Sequence, residues 1–413
     1  MGCVLLSGLG SPGDIHPFIA IGLALKKEGL TPRFLANPDD IPRIEAHGID
    51  TIPVGPPLHL MSRVSSDPKY LLSPQAGVYT TKDIFIPFSR DLYPAAAAAI
   101  DTHTPVAVIS HPFCFGAIWA AKTAGIPTVV AHLAPLSLMT RDIFSAYPVV
   151  KRALYSLAIP LGKAQLAKLV KPLCDELGVP WHRDILEETM ISTDHLVGMW
   201  SPAFYDPSPP TAGGRWQTCG FPTLPARPAP SDESLEAFLA KGDPPVAITL
   251  GTNAFAFAGD FFEHALTAAK RLGFRPLVIC KEASNLRLPT GAIAVNQADY
   301  SRVFPACRAV IHHGGIGVTA ATLKAGSPAV VVPFGHDQED NGLRVERLGA
   351  GRLVPRAKAE RLLRPALAEI LLDETASRAK SVGQVIREET DGATALANHV
   401  KTWLEHKGHT ATA

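Results

Sequence analysis

Short apolar runs and longer amphipathic stretches alternate along the first fifty positions. Gly2 to Ser7 is apolar, a Gly-rich turn follows, and His16 to Glu28 has helical spacing. Arg33 to Ala36 reads as a strand, the stretch around Asp39 to His47 as a helix, and Ile49 to Val54 as a further strand. Alternation of this kind predicts a parallel sheet with crossover helices. It resumes with strand Val106 to Ser110, helix Phe115 to Ala124 and strand Thr128 to His132. Residues 56 to 100 are irregular and read as loops and helices laid over the strand ends, where open α/β sheets bind ligands. From Arg141 to Leu177 the spacing is helical and apolar, through Phe144, Val150, Leu154, Leu157 and Leu161. It predicts a helical pair that packs on the core or walls a pocket for a greasy acceptor.

Residues 202 to 230 hold eight prolines and the pair Gly213-Gly214, which suits an extended connection between domains. Beyond it the alternation restarts with strand Val246 to Leu250, helix Phe261 to Leu272, and strands Pro276 to Cys280, Ala292 to Val295, Ala309 to His312 and Ala329 to Val332. The tail from Glu360 to His406 is helical by period, with a turn signal near Asp391-Gly392. The expected architecture is α/β, with an N-terminal Rossmann-like domain over residues 1–215 and a second over 216–385. A C-terminal helix within 386–413 is expected to pack back on the first domain.

A length of 413 residues fits two such domains. A net charge of +1 does not favour a nucleic-acid surface. The six cysteines are scattered, without metal-ligand spacing, and read as buried thiols in a reducing compartment. The start lacks the pattern of a signal peptide, and no stretch reaches the roughly 18 to 20 apolar residues of a membrane span. The expected location is the cytoplasm, peripheral to the membrane where the acceptor is a lipid.

Two motifs carry chemistry. Gly8-Leu9-Gly10-Ser11-Pro12-Gly13 satisfies the dinucleotide fingerprint GxGxxG, but the acidic residue expected about 20 positions on is not at the end of the second strand. Asp14 and His16 follow where the loop becomes a helix, with Pro17 suited to the first turn and His16 or its neighbour as the cap. They are either cap and first-turn residues or a base at the mouth of a strand-end cleft. The second motif, His312-His313-Gly314-Gly315-Ile316-Gly317-Val318-Thr319, follows a strand and opens a helix. Such a turn offers N–H groups and the positive helix end to a diphosphate. His313 adds a donor or a positive charge. No Asp-x-Asp pair is present, so a metal bridging the phosphates is not indicated. Asp337 and Gln338, after the next strand, suit the hydroxyls of a sugar ring.

The run from His312 to Gly351 resembles the donor-binding signature of inverting GT-B glycosyltransferases of the family 1 and 28 type. The start, GLGSPGDIHPFIAIGLALKKEG, is similar to the bacterial branch with antibiotic-aglycone and sterol glycosyltransferases and the rhamnolipid rhamnosyltransferase chain. The resemblance implies two Rossmann-like domains facing each other across a cleft and transfer of a hexose or deoxyhexose from a UDP- or dTDP-sugar to a small lipophilic or lipid acceptor. It implies Asp14, then His16, as general base. Its donor contacts are Ser11, Gly13, Thr252, Asn296 and Gln297 (near the nucleobase), His313, Gly314, Gly315, Gly317 and Val318 (around the diphosphate), and Asp337 and Gln338 (on the sugar). No metal or cofactor beyond the sugar nucleotide is implied, and the chain is expected as a monomer or homodimer.

Val318 departs from the family's Ser or Thr, so Val318→Thr is expected to tighten diphosphate binding by about 1 kcal/mol unless Thr319 substitutes. The stacking Trp of plant members is absent, which leaves uridine and thymidine open. A catalytically silent homologue acting as a binding or activator subunit and an NAD-dependent oxidoreductase are the alternatives. A serine hydrolase is disfavoured because GxSxG is missing.

Overall fold

A computed structural model describes residues 2–138, 141–185, 193–207, 216–225, 233–281 and 285–410, with only the backbone of residues 141, 142, 252, 253 and 407–410. Contacts divide it into two compact units. The first is built on a parallel sheet of seven strands: β1 Cys3–Ser7, β2 Thr31–Ala36, β3 Asp50–Pro53, β4 Ala107–Ser110, β5 Thr128–His132, β6 His195–Gly198 and β7 Trp216–Thr218. Their order is β3-β2-β1-β4-β5-β6-β7. The second has six parallel strands: β8 Val246–Thr249, β9 Pro276–Ile279, β10 Ile293–Val295, β11 Ala309–His312, β12 Ala329–Val331 and β13 Gly351–Leu353. Their order is β10-β9-β8-β11-β12-β13. The central strands are apolar throughout because helices cover both faces of such a sheet.

In the first unit Val4 and Leu6 of β1, Ile109 of β4 and Val129 of β5 pack with Phe18 and Ile19 of the helix Pro12–Lys27. The final helix, Gly392–Thr410, adds Leu396, Ala397 and Val400 to that same core. In the second unit Val246, Ile248, Ile311 and Val330 pack against Ala265 and Ala269 of the helix Phe261–Arg271 and Leu363 and Leu367 of Ala359–Ile370.

Several sequence expectations change. β7 pairs with β6, so the first unit runs through Leu224 rather than ending at residue 215. The second takes Pro225–Glu389 and also Met61–Ala76, whose Leu71 lies in its core. The stretch 56–100, read as loops and helices, leads into the continuous helix Ile86–His103, favoured by the alanine run at 95–99. The helical pair expected after Arg141 is instead a short turn, Arg141–Ala146, and one 29-residue helix, Val149–Leu177. Five of the six cysteines are buried, and Cys3 is half-buried.

Candidate functional site

The order of the second sheet reverses between β8 and β11. Ligands of open parallel sheets settle beyond the strands' carboxyl ends at such a point. The loops leaving these two strands meet there, where Gly251 N–H donates to His313 Nδ1 at 3.0 Å. With Nδ1 accepting, the neutral ring carries its proton on Nε2 and presents a donor. Burial pushes the His313 pKa down to about 4. Of the two roles left open by the sequence, donor and cation, the geometry fits the donor at neutral pH. A Cβ at Gly251 would stand 2.7 Å from His313 Nε2, and one at Gly315 2.5 Å from it. Glycine on both sides is therefore what admits the ring.

The turn beside it is held from below. Gly314 has φ +90°, and a Cβ there would lie 2.7 Å from the Gln338 carbonyl. Its N–H donates to His312 Nδ1 at 3.0 Å, and its carbonyl accepts from Asn341 Nδ2 at 2.9 Å. Gly315 then caps the helix Ile316–Ala325, whose first-turn residue Gly317 is exposed. N–H groups and the positive helix end thus face outward beside His313.

Val318 does not turn its side chain toward this surface. It is buried among Leu277, Val303 and Val310 in the apolar core. The Thr319 hydroxyl is also buried, without a hydrogen-bond partner. The expected gain from Val318→Thr is thereby revised. Nucleoside diphosphate affinity should be unchanged, and stability should fall by about 1 kcal/mol because a hydroxyl enters apolar surroundings. Calorimetry and thermal melts measure both, and a tenfold gain in affinity would contradict this placement.

Asp337 precedes the helix Gln338–Arg347, and its Oδ2 accepts from Asn341 Nδ2 at 2.7 Å. One amide therefore holds both the phosphate turn and the proposed sugar contact. Gln338 Oε1 accepts from the N–H groups of Phe334 at 2.8 Å and Gly335 at 3.2 Å, which leaves its NH2 end for a hydroxyl. Asp340 and Arg344, fully buried, form a two-point ion pair on the same helix. Asn341 and this pair were missed in the sequence; the available signal was the one-turn spacing from Asp337 and Asp340. Asn296 and Gln297 lie exposed just beyond β10, on the same edge of the sheet. Thr252 opens a short helix capped by Gly251, and its side chain lies outside the described residues.

In the first unit the order reverses between β1 and β4. The helix that follows β1 starts at Pro12 with Ser11 as its cap, earlier than the sequence suggested, so Pro17 and His16 are interior positions and not the cap. Asp14 is the third helical residue. Its Oδ2 accepts from Ser11 N–H at 2.7 Å and from the Ser11 hydroxyl at 2.9 Å. A Cβ at Gly10 would collide with this carboxylate, which explains that glycine of the GxGxxG run without a dinucleotide. Gly13 is exposed in the first turn.

The Asp14 charge reaches both Cys114, just beyond β4, and Asp40, just beyond β2. Burial, with the charges of Asp39 and Asp14, raises Asp40 to about 6 against the pull of Arg43. Surrounding protein, then the charges of Arg43 and His47, push His16 down to about 4. The residue is exposed, so water screens part of that effect. A further group at the reversal, missed in the sequence, is His111. It follows β4, stacks on Phe85 at 5.9 Å between ring centres, and is lowered to about 4 by burial. His132, the last residue of β5, is also buried; its Nδ1 lies 2.7 Å from the Ser137 hydroxyl and its Nε2 has no partner.

Comparison with known proteins identifies the family. Residues 4–141 match the glycosyltransferase family 28 N-terminal domain, and residues 279–411 match the erythromycin biosynthesis protein CIII-like C-terminal domain. The vancomycin aglycone glucosyltransferase of Amycolatopsis orientalis is 30% identical over 410 residues, covering 95% of this chain and 96% of that protein. The calicheamicin glycosyltransferase CalG4 has a similar structure, with a TM-score of 0.72 at 18% identity over 98% of this chain and 99% of its own. Glycosyltransferase VinC, solved in complex with dTDP, gives a TM-score of 0.70 at 17% identity over 98% of this chain and 100% of its own. Two parallel-sheet α/β domains, a glycine turn built around His313 and these likenesses lead to one assignment: the chain belongs to the GT-B glycosyltransferases of the family 1/28 type, among relatives that act on antibiotic aglycones.

Proposed function

We propose that the chain moves a hexose or deoxyhexose from a UDP- or dTDP-sugar, with inversion, to a hydroxyl of a small lipophilic acceptor. The observation that carries this reading is the His313 ring, seated between two glycines with an Nε2 donor beside an open helix N-terminus. That combination suits a diphosphate that gains charge as it leaves. Asp14 takes the acceptor proton, the acceptor oxygen attacks the anomeric carbon, and the nucleoside diphosphate departs from the opposite face. Asp337 and the Gln338 NH2 hold sugar hydroxyls, and Asn296 and Gln297 lie toward the base. No metal takes part in this scheme. The dTDP bound to VinC supports a nucleoside diphosphate donor, and the aglycone named for the vancomycin enzyme supports a small-molecule acceptor. The silent-homologue alternative rested on Val318, and its place in the core removes that support.

A thermal-shift panel tests the donor without an acceptor. A ligand that binds only the folded state adds about 2.7 kcal/mol at a hundredfold excess over Kd. UDP, dTDP and their sugars should raise the melting temperature, whereas NAD and NADP should not. The shift should vanish in His313→Ala and shrink in Gly251→Ala, where the added methyl displaces the ring. Stabilisation by NAD that survives His313→Ala would overturn the proposal, and silence toward every nucleotide would favour a non-catalytic role.

A further inference from the structure

The helix Gln338–Arg347 carries one side chain that is buried out of a ligand's reach and yet holds two parts of the proposed donor site. Asn341 is fully buried. One hydrogen of its Nδ2 goes to the Gly314 carbonyl at 2.9 Å and the other to Asp337 Oδ2 at 2.7 Å. A turned amide would set its oxygen against a carbonyl and a carboxylate, so these two acceptors fix its orientation. The helix comes this close because position 342 is glycine, where a Cβ would collide with Leu353 and stand 3.0 Å from Val331. Asn341 Oδ1 is buried without a partner. An orphaned oxygen in the interior costs stability, so packing alone does not account for an amide at this position.

The two bonds act on different parts of a sugar nucleotide. In a trans peptide the carbonyl and the following N–H point in opposite directions. Holding the Gly314 carbonyl inward therefore turns the Gly315 N–H outward, at the cap of the helix Ile316–Ala325 beside His313. That N–H has no partner among the described residues. His312 Nδ1 fixes the other side of Gly314 by accepting its N–H at 3.0 Å. The bond to Asp337 sets the direction of the carboxylate assigned to sugar hydroxyls. Both hydrogens sit on one planar NH2, so a shift of either acceptor is felt by the other.

We propose that Asn341 is a positioning residue that couples diphosphate binding at the His313 turn to sugar recognition at Asp337. The inference rests on the proposed donor reading. It is tested by calorimetry on the full chain with UDP and UDP-glucose, and with dTDP and dTDP-glucose. Asn341→Leu, close in shape and without the NH2, should weaken the bare diphosphate about threefold and the sugar nucleotide at least tenfold, the loss of one contact against two. With Asp337→Ala already present, the same change should weaken both ligands by one common factor, since its effect on the sugar passes through that carboxylate. Asn341→Asp keeps the size of the side chain should the leucine variant fail to fold. Its carboxyl donates only when protonated, and the Asp337 charge beside it favours the proton. Its affinity for the sugar nucleotide should therefore recover several-fold from about pH 8 to about pH 6.5, more than any change in the wild type. Equal losses for diphosphate and sugar nucleotide, with or without Asp337, would overturn the coupling, as would unchanged affinities in both variants. Wild-type chain that binds none of these ligands would instead remove the donor reading, and the inference with it.

Discussion

Asp14→Asn is expected to lower kcat by about 10²-fold or more, the scale of general-base catalysis. KM for the sugar nucleotide should barely move, because the His313 turn lies on other elements and Ser11 keeps an acceptor in asparagine. Asparagine keeps an oxygen that can accept from Ser11 N–H, now 2.7 Å from the carboxylate, so the helix cap survives while proton acceptance is lost. His16→Ala should cost much less. Residues two apart on a helix point about 200° away from each other. Asp14 is tied to Ser11 at the cap and its charge reaches Cys114 beyond β4, whereas His16 is exposed and feels the charges of Arg43 and His47. The sequence left both residues, Asp14 first and His16 second, as candidates for the base. Steady-state rates with melting temperatures as control decide the matter. Equal losses would mean that the acceptor approaches from the His16 side as well. Full activity in Asp14→Asn would move the base elsewhere, with His111 the first candidate because it is neutral and lies at the same reversal.

What was legible in the sequence follows from what a linear pattern encodes. β1, β4, β8 and β11 are buried on both faces and read as continuous apolar runs. β7 (Trp-Gln-Thr) and β13 (Gly-Arg-Leu) are three-residue edge strands that bury little, and their pairing comes from the neighbouring strand rather than from any period of their own. The His313 turn was legible because its glycines, strand and helix are contiguous. His111, Gly251 and Asn341 were not, since each joins the candidate site only through strand order or a contact across many residues. Val318 shows the opposite case: its position in the motif suggested a phosphate contact, but the facing of the helix sends the side chain into the core.

Acidification should weaken both units well before carboxylates titrate in bulk. Burial pushes His111 to about 4 and His132 to about 3 in the first unit. It pushes His312 to about 3 and His313 to about 4 in the second. All four folded values lie below the unfolded value of about 6.5. Their contribution to stability is therefore fully present above about pH 6.5 and is lost as pH falls toward the folded values, because the unfolded chain takes up protons first. At pH 5 each neutral buried imidazole costs about 2 kcal/mol relative to pH 7, so two in each unit remove a large part of a typical domain's 5–15 kcal/mol. Asp40, raised to about 6, works in the opposite sense in the first unit, as does Asp340, raised by burial despite Arg344, in the second. These are two groups against four. Urea midpoints should fall steeply between pH 7 and 5, and His132→Gln should reduce the slope in the first unit by about one proton. A midpoint that stays level over that range would show that these imidazoles are hydrated or charged in the native protein. Saturating UDP should flatten the decline in the second unit, because a diphosphate beside Nε2 favours the protonated His313 and binds only the folded state.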